Sequence, residues 1–332
     1  MDPILVTGAD GFIGSHLVES LVRAGNRVRA FVLYNAFGTR GWLDRFDPEI
    51  LNHVEVHIGD IRDSRSAAEA VQGCSTVYHL AALIGIPYSY RAPETYVDTN
   101  VRGTLNLLQS SVNHGTARFI HVSTSEVYGT AQFVPITEEH PLNAQSPYAA
   151  TKIAADQLAL SYFRSFQLPV TVVRPFNTYG PRQSARAIIP TVISQIAAGR
   201  RCLRLGSLHP MRDFNYVSDT VRGMMAAAGT DQTVGETVNL CAGFEISIGE
   251  LTALIAELMK AQVDISEDPE RIRPAASEVD RLQGDGSKIR RLTGWHAEYD
   301  GKDGLRLGLE KTIDWFTRPE NAAGYRADRY QT

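Results

Sequence analysis

Three glycines spaced through Thr7-Gly8-Ala9-Asp10-Gly11-Phe12-Ile13-Gly14 constrain this chain more than any other stretch. Before them, Ile4-Leu5-Val6 is a short apolar run of the kind that forms a buried parallel strand. After them, the pattern predicts a helix from about Ser15 to Ala24. Strand, glycine turn and helix is the setting in which such glycines mark a dinucleotide site. Gly8 permits the tight turn, Gly11 lets backbone approach a pyrophosphate, and Gly14 lets the helix pack on the strand. The helix N-terminus adds free N–H groups and a positive dipole end for phosphates.

The rest of the chain alternates in the same way. Apolar runs at Arg27–Leu33, Val54–Ile58, Thr76–Leu80, Phe119–Val122 and Val170–Val173 predict strands. Helical stretches between them include Ser66–Val71, Asn100–His114 and Tyr148–Phe166. This indicates an α/β fold with a doubly wound parallel sheet. Beyond Arg174 three prolines interrupt the pattern, and a smaller α/β region follows, with helices near Ile188–Ala198, Ile248–Met259 and Leu305–Phe316. The tail from Arg318 to Thr332 is polar, and loose order is expected there.

With 332 residues, 43% of them hydrophobic, the chain has enough apolar surface for one large or two coupled domains. A net charge of −4 gives no electrostatic case for nucleic acid or an anionic membrane. Cys74, Cys202 and Cys241 lack disulfide or metal spacing, so structural thiols in a reducing compartment are expected, and no metal site. The first apolar run reads as a strand rather than a leader, and no stretch approaches the ~18 apolar residues of a membrane span. A cytoplasmic location is expected.

Chemistry is suggested by Tyr148 and Lys152, preceded by Thr124-Ser125-Glu126. Ser146 and Pro147 mark a helix start, and residues four apart on that helix share a face. A nearby ammonium favours phenolate, so Lys152 is expected to lower the Tyr148 pKa from about 10. Tyr148 is then a candidate base for a sugar or alcohol hydroxyl.

Read in order, these motifs resemble the extended short-chain dehydrogenase/reductase family, which modifies nucleotide sugars. The resemblance also rests on Gly59-Asp60-Ile61-Arg62-Asp63, His79-Leu80-Ala81-Ala82, Asn100-Val101-x-Gly103-Thr104, Arg174-Pro175-Phe176-Asn177 and Tyr179-Gly180-Pro181. It implies a Rossmann domain over 1–175, with a crossing segment near 213–241, and a nucleotide-sugar domain over 176–332. It implies that Gly8, Gly11, Phe12 and Ile13 belong to the cofactor site, that Asp60 and Ile61 meet the adenine, and that Leu80, Ala81 and Ala82 lie along the cofactor. Tyr148 is implied as base, and Lys152 as its partner that also holds the nicotinamide ribose.

Glu126 resembles the glutamate of 4,6-dehydratases, and Thr-Ser-Glu is closer to the GDP-mannose branch than to the dTDP-glucose branch. The chemistry needs such a group: once C4 is a ketone the C5 proton is acidic, and a carboxylate removes it while water leaves from C6. Thr124 is expected to bond O4, and Ser125 to assist the departing hydroxyl. Arg271-x-Arg273-Pro274-Ala275-Ala276-Ser277-Glu278-Val279 is similar to a C-terminal segment of GDP-mannose 4,6-dehydratases in which arginine binds diphosphate. Arg212 has a similar claim, and Asn177 is expected to grip substrate. Further runs, Ile86-Pro87-Tyr88-Ser89-Tyr90 and Gln183-Ser184-Ala185-Arg186-Ala187 among them, resemble amino-sugar 4,6-dehydratases of legionaminic-acid pathways. This adds Tyr88 and Arg186 to the substrate candidates; the aromatics near Tyr88 either close over the hexose or pack their own loop.

One departure bears on the cofactor. The second strand ends Val32-Leu33-Tyr34-Asn35, without the acid that usually binds the adenosine ribose of NAD. Asn35 is the uncharged substitute, while Arg40 and Arg62 are the candidates for an NADP phosphate; NAD is favoured, with NADP as the alternative. The expected function is therefore a nucleotide-sugar 4,6-dehydratase acting on a GDP- or UDP-GlcNAc-like substrate. UDP-glucuronate decarboxylase, 4-epimerase and a non-catalytic NAD sensor are the alternatives. A homodimer through Asn100–His114 and Tyr148–Phe166 is implied by the same resemblance.

Overall fold

The computed structural model describes residues 2–322, 324 and 325. Strands β1 (Ile4–Thr7), β2 (Val28–Leu33), β3 (Val54–Gly59), β4 (Thr76–His79), β5 (Arg118–Val122) and β6 (Val170–Pro175) follow one another with helices between. The chain then passes through β7 (Asn177–Tyr179), β8 (Cys202–Leu205) and β9 (Met211–Tyr216), and returns as β10 (Thr237–Leu240). Among the described residues these give a seven-stranded parallel sheet in the order β10-β6-β5-β4-β1-β2-β3. The winding reverses at β1, which pairs β2 on one side and β4 on the other. A crevice outside the strand ends at that switch point is where such sheets bind ligands.

Alternation along the strands divides the core between the two faces of the sheet. Val6, Ile120, Val122 and Val173 face one layer with Leu17 and Val18 of the helix Phe12–Arg23. Leu5, Phe119, Val170 and Val172 face the other, with Leu107, Leu108 and Ala159 of the helices Gly103–Asn113 and Pro147–Phe166. The first of these cores runs without interruption into the C-terminal region, reaching Ile193, Phe214, Ile255 and Leu309. There β9 pairs with β7, with β11 (Glu245–Ser247) and with β13 (Arg281–Leu282), while β12 (Asp264–Glu267) pairs with β8.

Several boundaries differ from the sequence reading. The first helix begins at Phe12, directly on Gly11, not at Ser15. A π-helical stretch, Val97–Arg102, precedes the helix at Gly103. The last long helix starts at Gly301, not Leu305. The tail is also anchored further than expected: Pro319–Ala322 is helical, and the Tyr325 ring packs edge-on to Phe316 at 4.7 Å. The Tyr325 hydroxyl donates to the Gln183 carbonyl at 2.9 Å. Ala323 and residues 326–332 of that tail lie outside the described residues.

Candidate active site

Gly8 sits at φ +68°, a backbone state that glycine adopts without strain, and its N–H donates to the Phe31 carbonyl at 3.1 Å. A Cβ on Gly14 would lie 2.1 Å from the Gly8 carbonyl oxygen, so only glycine lets the helix approach this closely. The helix starts on Gly11 with no side-chain cap, which leaves its first-turn N–H groups for an anion. Phe12 and Ile13 occupy that first turn, half-buried. Across the crevice, the backbone of Ala81 comes within 3.0 Å of a Cβ built on Gly8, which places Leu80-Ala81-Ala82 against the glycine turn. This cradle fits a dinucleotide pyrophosphate.

Thr7 fastens the two sides together. Its hydroxyl accepts the N–H groups of Leu80 and Ala81, each at 3.1 Å. Its own proton therefore goes to His79 Nδ1, at 2.9 Å. His79 Nε2 then carries the ring proton and donates to Thr104 Oγ1 at 2.9 Å; the Thr104 hydroxyl donates to the Asn100 carbonyl. Burial holds His79 neutral, far below its ordinary pKa.

Just past β3, Asp60 accepts from the Arg62 backbone N–H at 2.9 Å and from both Nε and Nη2 of its guanidinium. Ile61 is buried with its side chain against Gly103. The Asn35 amide is occupied within its own loop, accepting from Phe37 and Thr39 N–H and donating to the Thr39 carbonyl at 2.7 Å. Contact with a ribose requires those bonds to open. Arg40 is paired with Asp44, as Arg62 is with Asp60, so neither presents an unneutralised cation for a 2′-phosphate.

The helix Pro147–Phe166 starts as its sequence implies, with Ser146 Oγ accepting the Ala149 N–H at 3.1 Å. Tyr148 and Lys152 both lie buried on its inner face. β5 ends at Val122, and a 3-10 turn, Ser125–Tyr128, follows it, capped by Thr124 Oγ1 on the Glu126 N–H at 3.2 Å. That turn brings Glu126 beside the phenol. The expected depression of the Tyr148 pKa is not what the site produces. Burial raises it most, a hydrogen bond with Thr124 lowers it, and the Glu126 charge raises it again. The Lys152 ammonium instead donates to the Val122 carbonyl at 2.8 Å, and burial brings its own pKa down to about 8.

Beyond Glu126, Arg212 is buried on β9, under the field of Glu126 as well as of Glu278. Arg212 Nη2 lies 3.4 Å and Arg273 Nη1 3.7 Å from the same Glu278 oxygen. One Glu278 oxygen thus faces two guanidiniums. Asn177 Oδ1 is buried with no hydrogen-bond partner. Tyr148 is met edge-on by Tyr96, at 6.4 Å between centroids, and Tyr96 by the exposed Tyr88 at 6.1 Å. Arg186 leans on Gly85, which also accepts from the Tyr96 hydroxyl. It thus sits over the same aromatic row, outside the arginine pair.

A family model described as GDP-mannose 4,6 dehydratase matches residues 5–307. The chain belongs to the GDP-mannose 4,6-dehydratase family. Its extended short-chain dehydrogenase/reductase character is seen in sequence and structure alike. A dTDP-glucose 4,6-dehydratase of Streptomyces griseus is 34% identical over 94% of this chain and 93% of its own. A UDP-N-acetyl-alpha-D-glucosaminuronate decarboxylase of Bacillus cytotoxicus is 32% identical over 96% of this chain and 98% of its own. The crystal structure of DesIV, a dTDP-glucose 4,6-dehydratase from Streptomyces venezuelae with NAD bound, superposes with a TM-score of 0.84 at 31% identity, covering 97% and 98% of the two chains.

Several residues that build the site in this family member escaped the sequence reading. Thr7, His79 and Thr104 stood inside quoted motifs but showed no sign of their pairing, which joins positions 72 and 25 residues apart. Tyr96 follows Pro93-Glu94-Thr95, a stretch without a motif. Arg182, just past Gly180-Pro181, reaches back to Glu19 at 2.8 Å and clamps the loop after β7 to the glycine-turn helix.

Proposed function

We propose that this member of the GDP-mannose 4,6-dehydratase family is an NAD-dependent hydro-lyase that converts a nucleotide-linked hexose or N-acetylhexosamine to its 4-keto-6-deoxy sugar. The observation that carries the reading is Glu126: a carboxylate on a capped turn, beside Tyr148 and within the field of Arg212. A 4-epimerase has no task for it.

Tyr148 takes the O4 proton, and Thr124, bonded to the phenol, keeps it aimed at that oxygen. Glu126 removes the C5 proton and Ser125 assists loss of the C6 hydroxyl. The Gly8–Gly14 turn, Leu80-Ala81-Ala82 and Lys152 would hold NAD, which when bound would accept hydride from C4 and return it to C6. The glycine cradle and the NAD bound by DesIV support that choice. Arg212 and Arg273 hold the diphosphate, Asn177 and Tyr88 the sugar, and Glu278 pairs with both arginines. Arg186 screens the sugar pocket at Gly85. Residues 1–175 with the segment 213–241 serve the cofactor, and 176–332 the nucleotide sugar. GDP is the first carrier to try, on the strength of Ser125 and the Arg273–Glu278 segment, with an N-acetylglucosamine-like sugar. A homodimer would cover the exposed Leu105 and Phe166 on the two helical segments assigned to the interface, and the enzyme would work in the cytoplasm.

The similarity to a decarboxylase favours one second reading, loss of C6 as carbon dioxide from a nucleotide-linked uronate. Hydrogen tracking separates the two. In heavy water a panel of nucleotide sugars should yield a product lighter by one water, with deuterium at C5 and with label from C4 recovered at C6. Label retained at C4, no solvent deuterium at C5, or carbon dioxide release would overturn the dehydratase reading.

A further inference from the structure

The groups assigned to the two halves of this reaction stand on different elements. Tyr148 and Lys152 belong to the helix Pro147–Phe166, and Glu126 to the turn Ser125–Tyr128. The chain between them, residues 129–146, is tied to that turn through the backbone, the Asn143 N–H donating to the Val127 carbonyl at 2.9 Å. A buried polar chain joins helix and turn from below. Asp156, one turn past Lys152, is fully buried and accepts from Arg174 Nε at 3.0 Å, with Nη2 at 2.9 Å. Arg174, on β6, turns its remaining nitrogen, Nη1, to the Tyr128 hydroxyl at 3.0 Å, with its guanidinium 4.9 Å from that ring's centroid. Tyr128 is the last residue of the Glu126 turn, and its hydroxyl donates onward to Asn239 Oδ1 on β10 at 2.8 Å. On its other side Asp156 faces His121 of β5 at 3.3 Å.

Every group in this chain is buried. A buried ion pair contributes little more stability than well-packed apolar side chains of the same volume, so stability alone gives no reason to place one here. Its geometry gives one: an arginine hydrogen-bonded to both Asp156 and Tyr128 joins the helix of the phenol to the turn of the carboxylate. Misplacement of a reacting group by about 1 Å can cost about a hundredfold in rate.

We propose that Asp156, Arg174 and Tyr128 form a strut of positioning residues that sets the reach of Glu126 to C5 relative to that of Tyr148 to O4. The proposal rests on the dehydratase reading for its kinetic consequence, but not for its structural one. Loss of the Tyr128 hydroxyl removes the turn's hydrogen bonds to Arg174 and Asn239, leaving only the ring against the guanidinium, while the helix keeps its own bonds through Asp156 and Val122.

Tyr128→Phe preserves the ring and its packing against Phe176 and His140. In the ligand-free protein, amide hydrogen exchange in Ser125–Tyr128 should quicken by about tenfold, with the helix Pro147–Phe166 unchanged. With a substrate that the wild type dehydrates, C4 oxidation should stay within about twofold. Elimination should slow by about tenfold, reduced cofactor should accumulate, and a C5-deuterium isotope effect should emerge. A merely structural role would instead quicken exchange in helix and turn together and slow both half-reactions alike. That result, or unchanged exchange in the turn, overturns the strut whatever the substrate. A wild type that releases water from no nucleotide sugar overturns the dehydratase reading instead, and leaves the exchange result to decide the strut.

Discussion

Glu126 and Tyr148 serve separate halves of the proposed reaction, and single replacements should part them. Glu126→Gln keeps shape and burial but cannot accept the C5 proton, so dehydration should fall by about 10²–10⁴-fold. Reduction of the bound cofactor, followed by its absorbance, should persist, because it depends on Tyr148. Tyr148→Phe should lose both signals. A Glu126→Gln enzyme running at the wild-type rate would mean that the base lies elsewhere. These residues were legible because each comes from a short, ordered motif. The electrostatics of Tyr148 were not. Spacing placed a cation four residues away, but the ring is buried partly under Tyr96, from a distant segment, and the cation is engaged by Val122 on a neighbouring strand. Burial is a property of everything that packs on a group, and no local spacing encodes it.

The glycine turn and its helix make two predictions as one element. Gly14→Ala would put a methyl group 2.1 Å from the Gly8 carbonyl oxygen, which backbone cannot yield cheaply. The variant should lose its bound cofactor and about 1–3 kcal/mol of stability, read from released nucleotide and a denaturant melt. His16, on the same helix, donates to the Pro181 carbonyl at 3.0 Å. Burial, aided by Arg182, lowers its pKa to about 4. Between pH 6.5 and 4 the unfolded chain therefore binds a proton that the folded one refuses, and stability falls as pH falls through that window, by up to about 3 kcal/mol. His16→Gln, which can still donate to Pro181, should flatten that part of the stability–pH curve; an unchanged slope would exclude His16 as its source. Elements read from sequence were those with continuous apolar runs, such as β1 and β6. β10 escaped because Thr237-Val238-Asn239-Leu240 mixes polar and apolar positions. Asn239 is buried there only because Tyr128 and the Ile136 carbonyl satisfy its amide.

The molecule as a whole should leave purification with its cofactor in place, since a cycle that returns hydride to the same sugar never requires release. Denaturing the protein and weighing the small molecules set free should give NAD; recovery of NADP alone would reverse the choice made from Asn35, Arg40 and Arg62. The overall plan, alternating strands and helices with an irregular second half, was readable from the glycine turn onward. The return of the last strand came only from the family resemblance, as a crossing segment near 213–241, because its pairing joins residues 65 apart in sequence, Val172 with Thr237. That pairing has a consequence for how such genes diverge. A protein cut after Pro175 would leave β6 as a bare edge with unpaired N–H and C=O groups, a template for sticking to other chains. Exchanging the second half between relatives would import a foreign edge strand into the cofactor sheet along with a new sugar pocket. Substrate range and sheet integrity are thus inherited together, and new specificities should arise by changes within loops rather than by shuffling halves.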